Sequence, residues 1–437
     1  MILLLLMMPV LSALAQTNSE RLSDNTLRVD YTFSGNSKEC DIYVDELCTF
    51  PGWAGRRVNT GTVHILGNGR ITMRDASNDD VLYCNSFSTL FQEWQATEEA
   101  TKVRKSFENV FLLPMPSVPV NITVELFDTY NKVVSSMTHS VNPADILIRH
   151  IGQNPSYYRY LLKNGGPSEC IDVAILPEGY TADEMDIFYA DAKAAVGSIL
   201  AHEPFKSLQQ KFNFIAVGLP SDESGVSLPK QGIWKSTALG SHFDTFYTDR
   251  YLTTLRIRQM HDLLAGIPYE HIIILANTDN YGGGGIFNSY TLTAAHHSSE
   301  PQVVVHEFGH SFAGLADEYY YDDQFENYYN SETEPWEQNI TTQVDFGSKW
   351  QDMIKPGTPV PTPNPAPNPR AVRTEAEIKA LSKVPAVGLF EGGGYMSKGV
   401  WRGSFNCRMH TNAYPEFCPV CQRAIERIIL FYTEPIR

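Results

Sequence analysis

The hydrophobic pattern of this chain changes between about residues 150 and 170, and that change constrains the fold more than any other feature. Upstream, short stretches alternate apolar and polar. Leu27-Arg28-Val29-Asp30-Tyr31-Thr32-Phe33 and Val120-Asn121-Ile122-Thr123-Val124-Glu125-Leu126 do so cleanly. Thr62-Val63-His64-Ile65-Leu66 does so more loosely, ahead of a Gly67-Asn68-Gly69 turn. A period of two marks a strand with one buried face, and short strands at this spacing predict a β-sandwich. From about Cys170 the runs become wholly apolar and alternate with helical stretches. Ile171-Asp172-Val173-Ala174-Ile175-Leu176, Phe212-Asn213-Phe214-Ile215-Ala216-Val217 and His271-Ile272-Ile273-Ile274-Leu275-Ala276 read as buried strands. Thr181-Ala182-Asp183-Glu184 is a capping box, and Met185, Phe188, Ala192, Ala195 and Ile199 follow at helical spacing. A second helix is predicted from about Tyr251 to Leu264. The expected fold class is α+β: a β-sandwich accessory domain over residues 16–150, then an α/β domain over 151–437.

A chain of 437 residues can bury a sizeable core without disulfides or metals. Its net charge of −16 argues against nucleic acid or an anionic membrane surface as the main partner, because both select for clustered Lys and Arg. Residues 1–15 form a short apolar run ending in Ala13-Leu14-Ala15, a small-x-small pattern, and then turn polar at Gln16. The expectation is a cleaved signal peptide and a secreted, periplasmic or cell-surface protein. The run is too short to span a bilayer comfortably, and no later stretch is apolar enough to do so. Oligomeric state is not legible. The seven cysteines are an odd number, so at least one is unpaired, paired between chains or bound to metal.

The chemistry-bearing run is His306-Glu307-Phe308-Gly309-His310. Ser299-Glu300-Pro301 supplies a cap residue, then an acid and a proline for the first helical turn. Val303, Val304 and Val305 supply apolar contacts. Histidines four apart share one helix face, so both imidazoles reach one ion. Zinc suits two imidazoles plus one further ligand, with a position left open for water. Glu307 projects to one side, close enough to take a proton from that water and return it to a leaving amine. Gly314 follows where a helix ends in a left-handed turn, and Asp317-Glu318 supplies carboxylates just beyond. Gly282-Gly283-Gly284-Gly285 lacks the Lys-Ser/Thr ending of a phosphate loop and reads as a flexible turn into an edge strand at residues 286–293. Residues 356–369, dense in proline, read as an exposed extended loop.

His306-Glu307-x-x-His310-x-x-x-Gly314-x-x-Asp317-Glu318-Tyr319 resembles the immunoglobulin A peptidase family of zinc metallopeptidases, relatives of the metzincin clan. Leu176-Pro177-Glu178-Gly179-Tyr180, Gly388-Leu389-Phe390-Glu391-Gly392, Cys407-Arg408-Met409 and Phe417-Cys418-Pro419-Val420-Cys421 are similar to that family too. The resemblance runs from about Cys170 to the C-terminus, and the β-rich front part is similar to the family's own N-terminal domain. It implies a metzincin-like catalytic domain with a methionine turn beneath the metal, matched by Met409. In most metzincins the third ligand falls six residues after the second histidine, and here that position is Ala316. A one-residue insertion in the turn reconciles the pattern, giving Asp317 as third ligand and Glu318 as the reserve.

The resemblance implies a secreted zinc-dependent endopeptidase acting on protein or glycoprotein substrates, with Glu307 as general base. His306, His310 and Asp317 would hold Zn2+. An extended peptide would pair along residues 286–293, bringing Ile286, Asn288, Tyr290 and Tyr319 to the substrate. Tyr319 and Tyr414 are candidates for the oxyanion partner. Two rival readings are a narrow-specificity aminopeptidase that trims glycoproteins and a non-catalytic binding protein acting through its β-sandwich. Cys407, His410, Cys418 and Cys421 have the spacing of a second, structural zinc site. In an exported protein a disulfide from Cys407 to Cys418 or Cys421 is the favoured alternative. His296 and His297 are placed in the loop leading to the metal helix, while His242 and Asp244 have no assigned partner.

Overall fold

The computed structural model describes residues 21–321, 328–364 and 384–436. The leader expected over residues 1–15 and residues 365–369 of the proline-dense stretch lie outside them.

The front of the chain forms two four-stranded sheets. The strands are β1 (Leu22–Gly35), β2 (Cys40–Pro51), β3 (Gly69–Asp75), β4 (Val81–Phe87), β5 (Lys105–Pro116), β6 (Val120–Phe127), β7 (Val133–Val141) and β8 (Arg149–His150), with the short helix α1 (Leu90–Gln95) after β4. One sheet runs β5-β1-β2-β8 and the other β4-β3-β6-β7. Alternation works as expected in β6, whose buried residues are Val120, Ile122, Val124 and Leu126. Rings from the two sheets meet between them, with Phe87 of β4 and Phe111 of β5 4.4 Å apart at their centroids. The strand expected at residues 62–66 is instead loop. Its buried residue, Ile65, packs against Gly314 near the end of the metal helix rather than into a sheet.

The central sheet runs β13-β14-β12-β10-β11-β9. Its strands are β9 (Tyr158–Leu162), β10 (Ile171–Glu178), β11 (Phe212–Val217), β12 (His271–Ala276), β13 (Gly283–Ile286) and β14 (Tyr290–Ala294). β10 pairs in parallel with β11 and β12, and β12 in parallel with β14, while β9 and β13 run antiparallel at the two edges. The capping box forms as expected: Glu184 accepts from the Thr181 N–H at 2.8 Å, leading into α2 (Met185–Leu200). The helix expected from about 251 is shorter, α3 (Ile257–Leu263). The residues ahead of it are extended, because Thr253 pairs with His242 and Tyr251 with Gly283. Helix α4 (Glu300–Ala313) carries the metal motif. A small sheet follows, from β15 (Tyr320–Tyr321), β16 (Ile340–Thr341), β17 (Phe390–Gly393) and β18 (Tyr395–Arg402), and α5 (Pro419–Thr433) ends the fold. The described part of the proline-dense stretch is mostly exposed, as expected. No helix among the described residues is long and apolar enough to cross a membrane.

The unbroken apolar runs of β10 to β12 are explained by burial on both faces. Ile171, Val173 and Ile175 join the core built with α2, α4 and α5. Ala174, Leu176, Ile272 and Ile274 point the other way, into a core shared with β1, β5, β6 and α1. The front sheets are thus the second layer over the central sheet. A buried arginine links the halves. Arg28 on β1 binds both Asp30 oxygens at 2.7 Å and reaches Asp262 of α3 at 2.6 Å.

Two stability measurements test this packing. Arg28→Ala leaves Asp30, 1% exposed, without its counter-charge; urea denaturation should show a loss of about 3–5 kcal/mol, and a loss under about 1 kcal/mol would contradict the docking role. His271 sits between the rings of Phe312 and Tyr432, and burial pushes its pKa down to about 3. Protonation therefore favours the unfolded chain, so its share of stability is intact above pH ~6.5 and falls as pH drops towards 3, at roughly 1.4 kcal/mol per pH unit. His271→Gln should flatten the acid limb of the stability curve.

Candidate metal centre

Helix α4 begins where Ser299 holds the N-cap position, though its hydroxyl makes no capping bond, and Pro301 lies in the first turn. Val304, Val305, Phe308 and Phe312 bury one face in the helix-side core. The helix stops at Gly314, whose φ of +58° is left-handed. The Gly314 N–H donates to the His310 carbonyl at 2.9 Å and the Leu315 N–H to that of Gly309 at 3.2 Å. A β-carbon at Gly314 would also lie 2.6 Å from Ile65 and 2.7 Å from Trp336. The reversal carries Asp317 back beside the two histidines.

The other face of α4 lies directly on β13. A β-carbon at Gly285 would sit 2.3 Å from the Glu307 carbonyl oxygen and 2.9 Å from His310 Cβ. One at Gly283 would sit 3.1 Å from Glu307 Cγ. The glycines are therefore a close-approach surface, not the flexible turn expected. They also form the edge strand themselves, which corrects the placing of that strand at residues 286–293. Residues 287–289 are the hairpin turn and β14 is internal. Ile286 and Tyr290 are core residues, with the Tyr290 hydroxyl donating to the Thr254 carbonyl at 3.0 Å. Asn288 is held by the Ser86 carbonyl and the Tyr432 hydroxyl. None of these three side chains is brought to the metal motif, and the edge at Gly283 is already bridged by Tyr251.

His306, His310 and Asp317 converge. The two Nε2 atoms lie 3.0 Å apart, and Asp317 Oδ1 lies 2.9 Å from that of His306 and 3.3 Å from that of His310. Tetrahedral coordination at about 2.0–2.1 Å places ligand atoms roughly 3.3 Å apart. The outer atoms are committed elsewhere. His306 Nδ1 faces the Arg408 carbonyl at 3.1 Å and His310 Nδ1 the Leu315 carbonyl at 2.5 Å. A carbonyl only accepts, so each Nδ1 is the N–H and each neutral Nε2 presents a lone pair inward. Asp317 Oδ2 accepts from the Tyr395 hydroxyl, while Oδ1 is buried without a hydrogen bond. Three lone pairs aimed at one point fit a metal ion. Burial works against the Asp317 carboxylate, but His310 and His306 hold it well below the usual range. Burial opposes charge on His310 too, yet Asp317 and Glu307 raise it to about 9: the carboxylates favour a cation at Nε2, the place a metal ion would take instead of a proton. Burial pushes Glu307 up, offset in part by the two imidazoles.

Other expected residues fall into place around this group. Met409 is fully buried, and a β-carbon at Gly309, between the two histidines, would lie 3.0 Å from its sulfur. Its carbonyl accepts from the Glu318 N–H at 2.8 Å. Glu318 itself turns away, towards Asn339 and Cys421. Tyr319 stacks on His306 with centroids 6.4 Å apart. Tyr414 lies in the loop beyond Met409, its N–H on the Thr411 carbonyl. His296 pairs with Asp191 at 2.8 Å, and His297 meets the Tyr281 ring. His242 Nδ1 faces the Phe243 carbonyl, and Asp244 accepts from the Lys230 N–H. Glu178 is fully buried and fastens the loop at 237–241, accepting from Thr237, Leu239 and Ser241 at 2.6–2.8 Å. The disulfide expected from Cys407 to Cys418 or Cys421 is not formed: all seven cysteines are unbridged, and the sulfurs of Cys407 and Cys421 lie 3.6 Å apart.

Sequence reasoning missed Tyr395, Tyr251 and Glu93. Tyr395 follows Gly392-Gly393-Gly394 with a left-handed φ of +65°. The Tyr251 hydroxyl donates to Glu93 of α1, whose carboxylate burial pushes up to about 7 and which also acts electrostatically on His310 and Glu307. Glu93 comes from the front of the chain and is held by Tyr251, and nothing local to it marks it.

The sequence model of the family described as IgA Peptidase M64 matches residues 160–381 and 369–429. That described as Peptidase M64 N-terminus matches residues 19–138. No curated protein matches the chain.

The contact of α4 with β13 has a direct test. Gly285→Ala should displace the helix from the strand, lowering both thermal stability and bound metal per chain. A variant with unchanged melting and metal content would show that the approach is not required.

Proposed function

This chain belongs to the IgA Peptidase M64 family, and from that premise we propose that it is an exported, zinc-dependent endopeptidase of protein or glycoprotein substrates. The observation that carries the reading is the convergence of His306 Nε2, His310 Nε2 and Asp317 Oδ1 with both outer imidazole nitrogens already committed. Two imidazoles and a carboxylate, with an open side, are a donor set that suits catalytic zinc. Zinc bound there supplies Lewis acidity, which acidifies water and polarises a carbonyl. The parallel sheet, α4 behind it and Met409 beneath the histidines support a metzincin-like catalytic domain over residues 151–437, with the front sheets as a domain over 16–150.

The chain's own groups divide the remaining work. His306, His310 and Asp317 hold the ion, and Tyr395 orients Asp317 through Oδ2. Glu307, half-buried and one position beyond His306 on α4, takes the proton of the attacking water and delivers it to the leaving amine. Tyr319, whose ring lies against His306, is the candidate donor to the oxyanion.

The alternative is a narrow-specificity aminopeptidase. A peptide library with free and acetylated N-termini separates the two: equal turnover supports an endopeptidase, loss on acetylation the aminopeptidase.

Glu307→Gln should lower peptide turnover by about 10²–10⁴-fold with metal content unchanged. Asp317→Ala should lose the ion at this site. Wild-type turnover by Glu307→Gln would sink the mechanism, and no hydrolysis by the intact chain would leave only a binding role.

A further inference from the structure

About the reserve ligand Glu318, a second group of metal-ligating atoms is assembled that takes no part in the proposed reaction. Glu318, Cys407, Cys418 and Cys421 are all buried, and one ligand atom from each lies within 4.8 Å of every other. The sulfurs of Cys407 and Cys421 are 3.6 Å apart. Glu318 Oε1 is 3.1 Å from the Cys421 sulfur and 4.0 Å from that of Cys418. A tetrahedral ion with metal–sulfur bonds of about 2.3 Å separates its sulfurs by roughly 3.8 Å, whereas a disulfide bond is about 2.05 Å. His410, expected by its spacing to belong here, is not in the group; Glu318 takes the fourth corner.

The surroundings suit thiolates. The N–H groups of Met409 and Cys418 donate to the Cys407 sulfur at 3.4 and 3.2 Å, and the Cys421 N–H to that of Cys418 at 3.5 Å. Cys418 is the N-cap of α5, where the helix dipole favours negative charge. The fully buried Glu318 carboxylate leaves Oε2 without a partner. A disulfide between two of the cysteines would bury the third thiol beside this carboxylate, with the Arg402 guanidinium as a nearby positive charge but no ion to gather the four ligand atoms.

We propose that Glu318, Cys407, Cys418 and Cys421 form a second, structural site for a soft divalent cation of the zinc class. Binding displaces the thiol protons to solvent, and four protein ligands leave no position for substrate. The site clamps the active-site floor. Glu318 adjoins Asp317 in the chain and its N–H holds the Met409 carbonyl, while Cys407 lies two residues before Met409. One ion therefore fixes both the segment bearing the third catalytic ligand and the turn beneath it.

The test uses the full-length chain purified without chelator or reductant. The expected results are two divalent ions per chain, seven titratable thiols after denaturation with chelator, and thiolate-to-metal charge-transfer absorption on cobalt(II) substitution. The His-His-Asp centre has no thiolate, so that absorption reports the second site alone. Cys421→Ser should abolish it and lower the ion count from two to one. His306→Ala/His310→Ala should keep it, so failure of the catalytic reading stays distinguishable. One ion per chain without charge transfer, or five titratable thiols, would overturn the proposal whether or not the variants fold.

Discussion

The strands β10, β11 and β12 are apolar on both faces, and the whole architecture follows from covering them twice. One side is met by α2, α4 and α5, with Phe188, Phe308, Phe312 and Ile425 in a single core. The other is met by the front sheets, whose Leu27, Val29, Leu113 and Val124 share a core with Leu176 and Ile274. Neither layer is dispensable, because hydrophobic area exposed on either face is worth about 25 cal/mol per Å². The front half is therefore a structural half of the central sheet, and the role of a detachable binding module fits it poorly. Its Glu93 reaching the neighbourhood of Glu307 is a consequence of the same docking.

On that scaffold the metal centre depends on two backbone features. Glycines in β13 let α4 lie against the strand, which sets the depth of His306 and His310. The left-handed turn at Gly314 then returns the chain so that Asp317 meets them. Asp317 lies three residues past Gly314, so the one-residue insertion that the resemblance implied falls before that glycine, at the end of α4. The Leu315 carbonyl is consumed by His310 Nδ1, and the Ala316 backbone is pinned on both sides by the buried amide of Asn339. Asp317 is the first residue free to turn inward.

Much of this was legible in the sequence where the signal was local and periodic. Strands β11 and β12 match their apolar runs residue for residue, and the capping box at Thr181 and the turn at Gly314 form as read. The histidine pair was legible because helical spacing alone puts both rings on one face. What was not legible is set by partners far along the chain. Gly283 and Gly285 look like loop glycines until a helix is laid on them. Ile286 and Tyr290 alternate like an edge strand, but their neighbour is a core built from residues some 150–250 positions earlier. Residues 62–66 had a strand pattern, yet Ile65 is spent on Gly314. Tyr395 carries no motif at all and is found only through Asp317 Oδ2.

The same distance effect explains why the cysteine cluster was misread as spacing. Cys407-x-x-His410 and Cys418-x-x-Cys421 suggest a knuckle closed within fifteen residues, but the fourth corner comes from Glu318, about ninety residues earlier. Its neighbour Asp317 faces the histidines and Glu318 faces the thiols, since successive residues of an extended segment point to opposite sides. In the proposed arrangement the adjacent carboxylates that looked like alternatives for one ligand position serve two centres. Met409 lies between them, its sulfur beneath α4 and its carbonyl on the Glu318 N–H. A force on either centre is thus passed through a peptide of two residues and one hydrogen bond, which makes the floor of the site rigid without requiring a large hydrophobic core at that point.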